Sequence, residues 1–444
     1  MTAEIALLNK MAVTLAADSA VTITNGSSSK VYNSADKIFE GTNHDPIGVM
    51  VYNRPEISGI PVESIVKMYR DRTCTSHFAK VFDYAVAFLR HVEEIDTPPV
   101  TIDANIRALC AQKAFDVRNL INAITEMHFQ EARSDDAGGS LDKLLAEIDA
   151  SVRTELDNQI EVFANEPDSQ WFDGISVDDA IEHHGECIEE LVEEVFDGDY
   201  LPDERRDQIT LLIAWSLLKE YPRSQVTGLV FAGFGKDEIF PSLIAFEVYG
   251  RIAGKLKYMQ MTKFDVDRKL VPDAAIIPFA QKEMVDRFMY GLDADFLDLC
   301  RAYFDGSLQS LKANLAELLV DASDDVKQAV GPAVDTIMQE FSEKIIPDHL
   351  NRLRTEFSDM VRSMPKQELA ALSESLVHIT SLKRKFSADA ESVGGPIDVA
   401  MITRAEGFVW VKRKHYFDPS LNPRYFARRY GRNELSTNNA DNGA

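Results

Sequence analysis

The sequence predicts a layered α+β fold, and three features carry that expectation. Apolar runs of strand length stand at both ends of the chain and again in its middle. Long stretches with helical spacing separate them. The chain has 444 residues and 45% hydrophobic content, enough apolar surface to bury a large core. Strands from distant segments would then share one sheet system, with helices packed outside it.

Residues 3–24 carry Ile5, Leu7, Val13, Leu15, Val21 and Ile23 in strand-like runs, with Lys10 near a turn. Asn25-Gly26-Ser27-Ser28-Ser29 marks a turn, and Lys37–Phe39 with Ile47–Tyr52 adds a strand pair, so the N-terminus is expected as a β-meander. From Pro61 to Tyr221 the spacing turns helical, as in Ile65, Met68 and Tyr69 or Phe82, Val86 and Leu89. Pro98-Pro99, the Asp135–Ser140 run and Glu166-Pro167-Asp168 divide this region, and Asp203 signals the start of a buried helix. Strands return at Val226–Phe234 and Leu243–Val248 around a Gly235–Glu238 loop. Helices follow from Gln281 to about Lys385, with breaks expected at Gly331-Pro332, Pro347 and Pro365. Two strands, Ile397–Thr403 and Phe408–Lys412, close the chain before a polar tail.

Composition excludes several function classes. The start lacks a basic, apolar leader, and no run of about 18 apolar residues is present, so neither a signal peptide nor a membrane span is expected. Cys74, Cys110, Cys187 and Cys300 lack metal-ligand or redox spacing and fit reduced thiols in a cytoplasmic protein. A net charge of −25 opposes general binding to nucleic acid or anionic membranes. The charge is uneven, with an acidic Glu182–Asp199 stretch and a basic Lys412–Arg432 stretch. These are solvated faces on the plain reading and complementary docking surfaces on the sharper one. Glu182-His183-His184-Gly185-Glu186 invites a metal reading, but no third cluster answers it, and His44-Asp45 is taken as structural. No Walker, Rossmann or G-x-S-x-G pattern occurs, and neither a cofactor nor a metal is expected.

Thr2 supplies a different chemistry. A hydroxyl on an N-terminal residue has its base built in, because a free α-amine with a pKa near ~8 is partly neutral at pH 7. Thr2 would stand first once Met1 is removed.

The segment Thr2–Ser19 resembles the opening of proteasome β-type subunits and their bacterial proteasome-like relatives, which are N-terminal-nucleophile (Ntn) hydrolases. Thr2 and Asp18 stand sixteen positions apart, as in that family, within Ala16-Ala17-Asp18-Ser19. Asp36-Lys37-Ile38-Phe39 resembles the strand bearing the family's lysine, and Lys30 is a competing candidate. Asp389-Ala390-Glu391-Ser392-Val393-Gly394-Gly395 resembles the family's Asp-x-x-Ser-Gly-Gly loop, and Gly228–Phe246 its central hairpin. Two departures stand out. Tyr52 or Asn53 occupies the place of the glycine whose N–H forms the oxyanion hole, and Pro278–Gln281 replaces a Ser-Gly-Ser segment.

The resemblance implies a four-layer αββα sandwich with two large helical insertions. Residues 1–70, 201–291 and 371–434 would build the core, 71–200 and 292–370 the insertions, and 435–444 a disordered tail. It implies a threonine-type peptidase or amidase. Thr2 would attack a peptide or amide carbonyl and form an acyl-enzyme, Asp18 and Lys37 would tune the hydroxyl, and Asp389 and Ser392 would hold the amine. It also implies a homo-oligomer, with a ring as one arrangement. The alternative is a catalytically silent subunit of the same fold serving as scaffold or partner-binding module.

Overall fold

A computed structural model describes residues 3–25, 28–73, 76–134, 140–167, 169, 171–198, 201–221, 223, 225–266, 273–292, 294–318, 332–337, 339–386, 394–415, 417–424 and 427. Among these, strands form two five-stranded antiparallel sheets. β1 (Ala3–Leu8) and β2 (Ala12–Ala17) sit at the heart of the first sheet. β13 (Asp398–Thr403) pairs with β2, the edge strand β14 (Gly407–Lys412) pairs with β13, and β12 (Ala275–Ala280) closes the other edge beside β1. The second sheet runs β11 (Lys255–Asp265), β10 (Ser242–Ile252), β9 (Thr227–Gly233), β6 (Ile47–Asn53), β5 (Ile38–Glu40). β3 (Val21–Asn25) pairs with β4 (Ser28–Tyr32), and β7 (Glu56–Ile57) with β8 (Ile60–Pro61).

Every residue of β1 and β2 is buried, because each strand has a covered surface on both sides. Leu8, Val13 and Leu15 share a buried cluster with Met50, Val230 and Ala245 of the second sheet. The opposite face of the first sheet, through Ile5, Leu7 and Val399, packs on α7 (Glu283–Tyr290), α9 (Ile346–Arg362) and α10 (Lys366–Lys385). Val49, Phe231 and Phe246 of the second sheet pack on α1 (Val62–Arg72) and α2 (Val81–Glu94). Gly48 lets the sheets approach, since a Cβ there would stand 2.6 Å from Ile402 Cδ1.

α3 (Pro99–Ser134), α4 (Leu141–Asn165), α5 (Val177–Val195) and α6 (Asp203–Leu218) bury a separate cluster reaching Tyr249 and Ile252 of β10. The boundary expected at residue 200 therefore passes between two helices of one cluster. α8 (Ala294–Leu318) and the helical turns from 332 lead into α9.

Three expectations are corrected. The N-terminal strands are not a meander, because β1–β2 and β5–β6 belong to different sheets and most of their partners come from far along the chain. Pro347 does not break a helix. A π-turn, Phe341–Ile345, runs straight into α9, and Pro347 follows at the point where the bonding changes from π to α. β11 and β12 were not expected as strands. Pro278 sits in β12 without disrupting it because β12 is an edge strand.

Candidate active site

Asp18 follows β2 directly, at the point where β1 begins beside it. Asp18 is 1% exposed, and its carboxylate accepts four hydrogen bonds from described residues. Oδ1 receives the Ala3 N–H at 3.0 Å and Lys37 Nζ at 2.6 Å. Oδ2 receives the N–H groups of Ala20 at 3.2 Å and Gly394 at 2.9 Å. Together these bonds fix the orientation of the carboxylate.

Lys37 immediately precedes β5, where Val51 N–H donates to its carbonyl at 2.8 Å. Its side chain turns in between the sheets, and the ammonium also lies 3.2 Å from Glu4 Oε1. A buried lysine is thus shared by two carboxylates. Lys30, the competing candidate, lies on β4 with its ammonium over the Tyr32 ring, and only Lys37 reaches Asp18. Glu4 was missed in the sequence reading. Its signal was a lone charge in an otherwise apolar strand, Ala3-Glu4-Ile5-Ala6-Leu7-Leu8.

The segment after residue 393 is laced to the same point. Ser19 N–H donates to Gly394 O at 3.2 Å, and Ser19 Oγ donates to Pro396 O at 2.6 Å. Gly395 (φ +77°) has to be glycine, as a Cβ would meet Asn33 within 3.0 Å. Thr2, Asp389 and Ser392 lie outside the described residues. The described residues next to them, Ala3 and Gly394, both bond Asp18.

A cleft of about 160 Å³ opens beside Lys37. Val21, Phe39, Val51, Pro55 and Val62 give it an apolar lining, with Asn53 at its wall. N–H groups along β6 alternate in direction: Val51 donates toward Lys37, and Arg54 donates to Val226 on the other side. Alternation therefore turns the Asn53 N–H to the Lys37 side. Asn53 has φ +63°, a left-handed conformation that asparagine tolerates better than most residues.

The Tyr52 side chain turns between the sheets, where its ring stacks on Phe279 at 5.3 Å and covers Gly228. Its hydroxyl bonds Glu247. Burial pushes the phenol well above its usual pKa, and the charges of Glu247 and Glu4 add to this. Burial also raises the Glu247 carboxyl, against the opposing effects of Lys282 and the Tyr52 hydroxyl. Pro278–Ala280 lie in β12, so Gln281 and Lys282 form the junction opening α7.

The remaining sites have structural partners. His184 Nε2 accepts the Ala253 N–H at 3.0 Å, and His183 Nδ1 is 2.8 Å from Asp179 O. No group of three or more His, Cys, Asp or Glu residues suited to a metal occurs among the described residues. Asp45 accepts from the Tyr84 hydroxyl and lies 2.8 Å from His77 Nδ1. Cys110, Cys187 and Cys300 are free thiols, and burial pushes Cys110 up to about 12. Among the described residues no helix is long and apolar enough to cross a membrane.

No family model and no curated protein matches the chain.

Proposed function

We propose that the chain is an amide hydrolase of the Ntn type, built on a four-layer αββα sandwich, with Thr2 as nucleophile when it carries the free α-amine. The observation that carries this is the buried Asp18–Lys37 pair, bonded through Asp18 to the backbone of Ala3, the residue after Thr2. A cation held there lowers the pKa of a neighbouring hydroxyl, and an apolar cleft opens alongside to receive a substrate side chain.

In the proposed reaction Thr2 Oγ attacks the carbonyl carbon of a peptide or amide. Its proton passes to the α-amine and then to the leaving amine, and water hydrolyses the resulting ester. The Asn53 N–H, turned toward Lys37, is the candidate donor to the developing oxyanion. Asp389 and Ser392 would hold the amine. The resemblance to proteasome β-type subunits extends the proposal to a homo-oligomer, which light scattering of the purified chain would test.

A second reading rests on Lys37 itself. Its ammonium is shared between Asp18 and Glu4, an arrangement that also suits a structural ion cluster in a catalytically silent subunit. Mass spectrometry of the purified N-terminus and labelling by a threonine-directed epoxyketone separate the two. Hydrolysis requires Thr2 to be the first residue and labelling to vanish in Thr2→Ala. Equal labelling of both proteins would remove Thr2 from the mechanism.

A further inference from the structure

A second lysine bridge stands one residue away from the first. Lys414, two residues beyond β14, has its ammonium 3.0 Å from Asp36 Oδ1 and paired with Asp398 Oδ2. Its backbone N–H donates to Asp398 Oδ1 at 2.8 Å. The Lys414 side chain is 11% exposed and that of Asp398 is 3% exposed, so this arm is enclosed, while the Asp36 side chain is 31% exposed. Asp36 directly precedes Lys37 and lines the cleft. Asp398 pairs with Ala17, the residue before Asp18.

The two bridges therefore hold one segment, residues 36–37, against the adjoining ends of β2 and β13. One runs from Asp18 to Lys37, and the other from Asp398 through Lys414 to Asp36. The segment they hold has no regular structure of its own. Residues 34–37 form no helix or strand, and β5 beyond them has only three residues. Its described backbone anchors are the Ala35 N–H, bonded to Ser19 O at 3.0 Å, and the Lys37 carbonyl, which accepts from Val51 N–H at 2.8 Å.

We propose that Lys414 is a positioning residue for the Thr2 reaction: by clamping Asp36 to the start of β13 it fixes where the Lys37 ammonium stands relative to Asp18. The inference rests on the hydrolase reading above. It also gives the basic segment after β14 a task, since Lys414 joins Asp36 to Asp398. The clamp acts on geometry and not on substrate contact, so its loss slows the chemical step and leaves substrate affinity almost unchanged.

The test uses the full chain as wild type, Lys414→Met, Lys414→Arg and Thr2→Ala. Epoxyketone labelling is followed to saturation, and deuterium uptake is measured over 33–41 and over α3–α6. The expected result for Lys414→Met is a maximal labelling rate lower by about tenfold or more, with half-saturation within about twofold. Uptake should rise over 33–41 and stay unchanged over α3–α6. Lys414→Arg, which can still span two carboxylates, should recover most of the rate. Unchanged rate and uptake in Lys414→Met would overturn the clamp, as would Met and Arg variants that are equally impaired.

If Thr2→Ala labels like the wild type, the hydrolase reading fails and uptake alone decides the clamp. A rise over 33–41 then supports it, and no change overturns it. Should Lys414→Met not fold, Asp36→Asn weakens the same bridge without leaving an unpaired charge at 36. It carries the same expectations.

Discussion

Asp18 illustrates how a single side chain can define a site. Three of its four described donors, Ala20, Ala3 and Lys37, come from the first part of the chain, while Gly394 brings in a loop from the far end. Removing the cation from this arrangement leaves Asp18 and Glu4 buried together. Lys37→Met should therefore destabilise the fold by about 3–5 kcal/mol, the usual cost of breaking a buried ion pair from one side. Urea unfolding measures it, and a loss below about 1 kcal/mol would mean that the pair is well solvated. The resemblance to proteasome β-type subunits singled out Asp18 and Lys37, and the structure brings these two side chains together. The Gly394 and Ala20 contacts were not legible in the sequence, because backbone donors leave no mark on residue identity. Lys414 was visible only as one more charge in a basic run.

At the scale of single elements, the C-terminus of α6 is capped in an unusual way. Lys257 Nζ, on β11, donates to Leu217 O at 2.6 Å and Lys219 O at 2.7 Å, and Arg223 donates to Ser216 O at 2.8 Å. Two buried cations thus satisfy carbonyls that a helix end leaves unpaired. Burial is the main reason that the Lys257 pKa falls to about 7, Arg223 lowers it further, and Glu220 opposes both. An unfolded lysine titrates near ~10.4, so between about 7 and that value the unfolded chain holds the proton more tightly. Lys257 therefore makes stability rise with pH across that window, and its penalty is complete below about 7. Comparing unfolding of wild type and Lys257→Met from pH 6 to 10 isolates this contribution. The difference should change steadily through the window, and a constant difference would refute the assignment. The elements themselves were unevenly legible. β1, β2, β6 and β9 are apolar runs because both of their faces are covered. β11 is an edge strand whose Lys255, Lys257, Gln260 and Lys263 dilute any strand pattern, and Pro278 masks β12. The split of the N-terminal strands between sheets depends on partners more than 200 residues away, such as β12 and β13, which local pattern does not carry.

At the scale of the whole molecule, β10 joins the helical cluster to the sheet cores. Tyr249 and Ile252 enter the helical cluster of α3–α6, while Ile244, Phe246 and Val248 pack under α1 and α2. Either the cores behave as independent stores of stability or β10 couples them. Phe196 in the first and Phe88 in the second are both completely buried, so truncating each to alanine should cost about 3–5 kcal/mol. They share no cluster, and residues without common partners usually add within about 0.5 kcal/mol. The double variant should therefore lose the sum of the two single losses. Deuterium uptake gives the spatial side of the same expectation. Phe196→Ala should loosen α3–α6 and leave β1, β2 and β6 protected, because none of these strands contributes to its cluster. A double variant well short of the sum, or uptake spreading from Phe196→Ala into β1 and β2, would show that strain passes along β10. The helical region would then be part of the machinery that shapes the Asp18–Lys37 site, and not a separate body attached beside it.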